Sequence, residues 1–170
     1  MKIVSIFAEK LFSFHYPDEG DNELDRLMEL WNDVQYLKKF AEDNGIAEVE
    51  TFVNKIIDNA FEIQDVLEEI ANNKRQLGHY FKPLTDTETG FKILSLQKGR
   101  LINNQLRIYA IKIDEECFVI TGGAIKMSQT MQEFPDTQIE LDKLKVAQRY
   151  LNDNGVFDID SFFELLSEAK

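Results

Sequence analysis

The sequence predicts an α+β fold in a single domain, and three observations carry this prediction. A length of 170 residues suits one hydrophobic core, and a hydrophobic content of 44% is enough to fill it. The apolar residues recur every three to four positions between Leu24 and Ala71, and the period becomes two from Phe91 onward. Helices and strands that occur in separate blocks, as here, are typical of α+β proteins.

The first half of the chain predicts strands followed by helices. Residues rich in β-formers run from Ile3 to Phe7 and from Phe12 to Tyr16, which indicates a strand or a strand pair. Apolar residues at helical spacing then run from Leu24 to Ala41 and from Val49 to Ala71, and each run predicts one amphipathic helix. Because the link between them is short, the two helices are expected to form a helical hairpin.

Three strand candidates follow, and they predict an antiparallel meander. They are Phe91 to Leu96, Gln105 to Ile113 and Cys117 to Thr121, with turn residues between the last two. Side chains alternate between the faces of a strand. The middle strand is therefore expected to place Leu106, Ile108 and Ala110 on one face and Arg107, Tyr109 and Ile111 on the other.

The C-terminal region predicts a bend and two helices. The pair Gly122 and Gly123 predicts a bulge or a sharp bend after the third strand. A capping box formed by Thr137 and Glu140 predicts that a helix starts at Thr137. A short last helix is expected at about residues 158–168.

The composition excludes several kinds of site. The lone Cys117 excludes a disulfide framework and a cysteine-based zinc site, and His15 and His79 lie in separate segments, so we expect neither a metal nor a cofactor. Common phosphate-loop, dinucleotide and hydrolase motifs are absent from the sequence. The apolar runs are too short for a signal or a membrane segment, which predicts a cytoplasmic protein with no membrane partner.

The charge is uneven, and its unevenness suggests a candidate site. The net charge of -12 argues against broad affinity for nucleic acid, yet the segment from Thr89 to Ile113 has five basic and no acidic residues. Basic residues on or beside the meander could hold a scissile phosphate and stabilise the charge that develops on it, so that an RNA 2′-hydroxyl attacks without a metal. The alternative is that each cation simply pairs with a surface acid. The cations concerned are Lys98, Arg100, Arg107 and Lys126.

Residues 106–151 carry a resemblance to a known family. This region resembles the RelE/ParE toxin superfamily, in particular its phage-derived HigB-like branch. The resemblance lies in three segments, which are Leu106 to Lys112, Cys117 to Ser128, and Thr137 to Leu144 leading into a helix. Arg107 matches the family's strand arginine, and Lys126 matches the lysine after the third strand. A family toxin is usually basic and near 100 residues, so this chain departs from the pattern in charge and length.

The resemblance implies a function, a partner and a domain description. It implies a ribosome-dependent, metal-independent mRNA endonuclease toxin, an endoribonuclease held inactive by a cognate antitoxin that often has a helix-turn-helix domain. Arg107 and Lys126 would be the catalytic residues. The whole chain, 1–170, would be one RelE-like domain with an enlarged helical hairpin at about 21–73 and an extra C-terminal helix.

Position alone suggests further residues and leaves two other functions open. Lys98 and Arg100 are predicted to help hold RNA, and Tyr109 to stack on a base, although a core role suits Tyr109 better. A non-catalytic interaction module that binds a protein partner through its acidic helices is the first alternative. An enzyme acting on a cationic or neutral small molecule is the second, but the sequence offers it no nucleophile.

Overall fold

The computed structural model describes residues 1–84, 94–127 and 134–168, with side chains in the last segment from residue 138 onward. The helices are α1 Glu23–Leu30, α2 Val34–Asp43, α3 Val49–Ala71, α4 Leu77–Tyr80, α5 Phe134–Asp153 and α6 Ile159–Glu168. The strands are β1 Lys2–Phe7, β2 Leu11–His15, β3 Phe81–Pro83, β4 Ser95–Gly99, β5 Leu106–Asp114 and β6 Cys117–Ile125.

The strands form one mixed sheet, which confirms the predicted α+β class. Its order is β1-β2-β6-β5-β4-β3, and β2 pairs with β6 in parallel while the other neighbours are antiparallel. The predicted meander is therefore present as β4, β5 and β6. Its first strand lies later than expected, at Ser95–Gly99 instead of Phe91 to Leu96, and residues 91–93 of that prediction lie outside the described residues.

The prediction of one helix from Leu24 to Ala41 is wrong, because two helices occupy this stretch. The carboxylate of Asp33 accepts hydrogen bonds from the backbone N–H groups of Gln35 and Tyr36, which makes Asp33 the N-cap of α2. Aspartate favours this position over a helix interior, since its short side chain competes for backbone amides. The second helix of the predicted hairpin is confirmed as α3, and α2 packs against it.

Each face of the sheet has its own apolar core. The first core lies between the sheet and α1 to α3 and takes Leu106, Ile108 and Ala110 from β5. The second core lies under α5 and α6 and takes Tyr109 and Ile111. This alternation along β5 confirms the predicted faces of the strand, and it means that helices cover both sides of the sheet at its centre.

The start of α5 corrects the predicted capping box. The helix begins at Phe134, so Thr137 lies inside it and does not cap it. The carboxylate of Glu140 instead accepts a hydrogen bond of 2.9 Å from the backbone N–H of Gly123 on β6. Within the described ranges no helix is both long enough and apolar enough to cross a membrane.

The two glycines of β6 adjoin a bulge, as predicted, but the strand continues through them. Tyr109 faces Gly122 and Ala110 faces Ile120, which leaves Thr121 as the extra residue. A Cβ atom on Gly123 would lie 2.6 Å from the backbone oxygen of Arg107. Glycine at this position therefore allows β6 to run close to the first residues of β5, where the candidate site begins.

Candidate functional site

A groove of about 630 Å³ opens where the loop between β4 and β5, helix α3 and the end of β6 meet. Three carboxamides and three apolar side chains contribute to its lining, and no acidic residue does among those the structure describes. We call it the cationic groove, because four basic residues line it: Lys55, Arg100, Arg107 and Lys126.

Arg107 is the most enclosed of these cations. It is the second residue of β5, and it is only 8% exposed. Its Nη1 donates hydrogen bonds to the backbone oxygens of Asn104, at 2.6 Å, and Leu106, at 3.0 Å. These two acceptors are neutral carbonyl groups, and they orient the guanidinium.

Lys126 follows β6 directly, and its backbone is tied to the same loop. The Lys126 N–H donates to the oxygen of Gln105 at 2.6 Å, and the Gln105 side-chain amide donates back to the oxygen of Lys126 at 3.2 Å. Leu106 on β5 is opposite Ile125 on β6 in the antiparallel register. Arg107 follows Leu106 and Lys126 follows Ile125, so the register brings both residues to the same end of the sheet and to the same groove.

Two buried asparagines join the loop to helix α3. The Asn104 amide nitrogen donates to the backbone oxygen of Asn59 at 3.0 Å and to Glu62 Oε1 at 2.9 Å. In return, Asn59 Oδ1 accepts from the N–H of Gln105 at 2.9 Å, and Asn104 Oδ1 accepts from the N–H of Leu106 at 2.9 Å. The loop that lines the groove is thereby fixed to the middle of α3.

The structure brings some of the predicted site residues together and separates others. Arg107, Lys126 and Arg100 line the cationic groove, as expected if they act on one ligand. Lys98 lies on β4 opposite Tyr109 and is not part of the described lining. Tyr109 is 6% exposed and packs in the second core, which fits the alternative that it is a core residue.

Sequence reasoning missed Lys55 and the two asparagines. Lys55 is an exposed residue of α3, and only the packing of that helix brings it to the groove. Asn59 did carry a signal, because it falls between Ile56 and Ile63 on the apolar stripe of α3, where a polar side chain needs a partner. No comparable pattern marks Asn104 in its loop.

A second group of charges, which we call the ion-pair cluster, joins α1 to α5. Glu23 is 1% exposed and accepts from Arg26 with both oxygens, at 3.0 and 2.8 Å. The Lys143 ammonium lies 3.4 Å from Glu23 Oε2 and 3.5 Å from Glu140 Oε2. Burial raises the pKa of Glu140, and the nearby Lys143 charge and the Gly123 N–H act against that rise. The cluster is thus composed of two carboxylates and two cations.

The cationic groove is suited to binding a polyanion. Arginine can present paired donors to a phosphate, and lysine can act as a mobile point charge that also supplies a proton. Among the described residues, no three of His, Cys, Asp or Glu lie together so as to hold a metal ion. Searches with protein-family models and against curated proteins and solved structures found no match to this chain.

Proposed function

We propose that this protein is the toxin of a toxin–antitoxin system and acts as an mRNA endoribonuclease through the cationic groove. The observation that carries the proposal is the convergence of Arg107 and Lys126 with Arg100 and Lys55 on one groove. The first two residues are those that the resemblance to RelE and HigB-like toxins marks. The ribosome, its mRNA and a cognate antitoxin with a helix-turn-helix domain are the proposed partners, in the cytoplasm.

The groove's cations have distinct roles in this proposal. The 2′-hydroxyl of one nucleotide loses its proton to water and attacks the adjacent phosphorus, and the bond to the 5′-oxygen of the next nucleotide breaks. Arg107 stabilises the negative charge that develops on the phosphate oxygens, because its guanidinium is already oriented. Lys126 donates a proton to the leaving 5′-oxygen. Arg100 and Lys55 hold neighbouring phosphates.

The proposal is tested by growth on induced expression of the wild-type chain and of Arg107→Ala and Lys126→Ala. We expect the wild type to arrest growth and both variants to lose the arrest, because each variant removes a charge at the scissile phosphate. Arg149→Ala and Lys145→Ala are matched controls, since both residues are exposed on α5 and neither is part of the described lining of the groove. All five proteins are compared at equal abundance and with circular dichroism of the purified chains.

Two results would overturn the proposal. One is a harmless wild type in a host that has no antitoxin. The other is an arrest that survives both Arg107→Ala and Lys126→Ala. If arrest depends on both residues, cleavage is mapped by primer extension on mRNA incubated with ribosomes, and with naked mRNA as the comparison for ribosome dependence.

A second candidate function is a protein-interaction module, which the outer face of α3 favours. Phe61 is 60% exposed there, and the acidic residues Asp58 and Asp65 lie three positions before it and four positions after it, on the same side of the helix. A basic partner with an apolar pocket would fit this face. The two functions differ in one result, because an interaction module keeps its activity when the charge of Arg107 is reversed in Arg107→Glu.

A further inference from the structure

Each cation predicted to act on the scissile phosphate is connected to one buried asparagine. Asn104, 4% exposed, supplies the backbone oxygen that accepts from Arg107 Nη1 at 2.6 Å. Asn59, 9% exposed, holds the N–H of Gln105, and the oxygen of Gln105 accepts from the N–H of Lys126. Both chains of hydrogen bonds start at Asn59 on α3, and one ends at the Arg107 guanidinium while the other ends at the backbone N–H of Lys126.

The loop needs these hydrogen bonds to keep one conformation. It turns at Ile102 and Asn103, where Asn103 takes a φ of 60° and the N–H of Asn104 donates to the oxygen of Leu101 at 3.2 Å. Without the Asn104 carboxamide, the N–H of Leu106 and the backbone oxygen of Asn59 would each lose a described partner. A buried backbone group that loses its partner is costly, so the loop would move to satisfy it.

We propose that Asn59 and Asn104 are positioning residues of the cationic groove, which hold Lys126 and Arg107 where both can reach one phosphate. This proposal rests on the proposed function in assuming that the ligand is RNA. Neither asparagine touches the phosphate. Asn104 acts through Arg107, and Asn59 acts through Gln105 on Lys126.

The first test measures binding of a 12-nucleotide single-stranded RNA labelled with fluorescein, by anisotropy at several KCl concentrations. We expect Asn59→Ala and Asn104→Ala to bind about tenfold more weakly, because one phosphate contact loses its orientation. We also expect the slope of log K against log[KCl] to become shallower by about 0.7, the value for one lost contact to single-stranded nucleic acid.

The control separates positioning from a general loss of stability. Ser161→Ala removes a buried hydroxyl at the start of α6 that accepts from the N–H groups of Phe157 and Asp158 and is not part of the described lining of the groove. We expect this variant to lower the unfolding temperature and to leave RNA affinity and its salt slope unchanged. If Asn104→Ala is recovered unfolded, Asn104→Ser is measured in its place, since its hydroxyl can still accept from the N–H of Leu106.

The second test does not depend on RNA. NMR of labelled arginine side chains reports rotation of the Arg107 guanidinium, and amide hydrogen exchange reports protection of the Lys126 N–H. We expect Asn104→Ala to free the guanidinium and Asn59→Ala to reduce the protection of Lys126, with neither change in Ser161→Ala.

These outcomes separate the two proposals. If the wild type neither arrests growth nor binds RNA but the NMR changes occur, the proposed function fails and the positioning role stands. If the wild type binds RNA and the asparagine variants match it in affinity, salt slope and NMR signals, the positioning role is overturned while the proposed function survives.

Discussion

Two regions of this acidic chain hold basic residues in very different surroundings. The ion-pair cluster contains Arg26 and Lys143, and the cationic groove contains Arg107 and Lys126. The cluster surrounds its cations with the carboxylates of Glu23 and Glu140, at distances from 2.8 to 3.5 Å. The described lining of the groove consists of cations, carboxamides and apolar side chains. A net charge of -12 therefore says little about the potential at any one place on the surface.

The two regions also differ in how their cations are held. The cluster uses charged acceptors, which fix the cations and neutralise them at the same time. The hydrogen bonds described for Arg107 run to the neutral carbonyl oxygens of Asn104 and Leu106, which orient its guanidinium. The comparison indicates that the cluster joins α1 to α5 through paired opposite charges, whereas the groove brings four cations together at one end of the sheet.

The largest effect on stability is expected for Glu23→Ala. This change leaves the Arg26 and Lys143 charges without the carboxylate that both contact, and we expect a loss of about 2–3 kcal/mol in the free energy of unfolding. The figure is at or below the lower end for buried pairs, because Arg26 and Lys143 are themselves about one quarter exposed. Urea unfolding at pH 7 measures it.

The control for Glu23→Ala is Asp43→Ala, which removes an exposed pair with Lys39 and should cost no more than about 0.5 kcal/mol. RNA affinity of the folded Glu23→Ala protein should equal that of the wild type. A cost no greater than that of Asp43→Ala, or a loss of RNA affinity, would remove the distinction between a structural cluster and a binding groove.

A smaller effect, on binding alone, is expected for Lys55→Ala. Lys55 is exposed on α3, so its loss should not change stability, but it removes one of the four cations of the groove. We expect RNA affinity to fall about threefold and the salt slope to become shallower by about 0.7. Lys145→Ala, an exposed lysine on α5, is the matched control, and an equal effect of the two substitutions would show that only net charge matters.

The part of the site that could be predicted from the sequence is the part built by local pairing. Two strands joined by a tight turn pair antiparallel, so Arg107 near the start of one strand and Lys126 after the end of the other had to approach each other. Arg100 comes directly after β4, which pairs with β5, so its position near Arg107 also results from the pairing of neighbouring strands. The alternation along β5 predicted which residues of that strand face each core.

The remainder depends on packing between distant segments, which periodicity does not encode. Asn104 and Asn59 are 45 residues apart, and their contact requires the angle at which α3 crosses the sheet. The break between α1 and α2 was missed because the apolar spacing continues through Asp33, although an aspartate is a good N-cap. Glu140 was assigned to a capping box because the pattern fits, but the helix extends to Phe134 and leaves the carboxylate to Gly123.

The smallest effect, on the pH dependence of stability, tests whether Glu140 belongs to the cluster as described. Burial raises its pKa, against the opposing effects of Lys143 and the Gly123 N–H, and the neighbouring Glu23 also raises it. The folded state therefore binds more protons at Glu140 than the unfolded state does. The contribution of this group to stability is complete below about pH 4.3, the ordinary pKa of glutamate, and is lost as pH rises through the raised value.

Glu140→Gln removes this titration, so the free energy of unfolding of the wild type minus that of Glu140→Gln should decrease as pH rises from about 4 to 8. Urea unfolding of both proteins at micromolar concentration measures the difference. A difference that rises with pH would mean that Lys143 outweighs burial and that Glu140 acts as a stabilising ion-pair partner like Glu23. A falling difference would show that burial of Glu140 outweighs the Lys143 charge and the Gly123 N–H, and that Glu140 is not a stabilising ion-pair partner like Glu23.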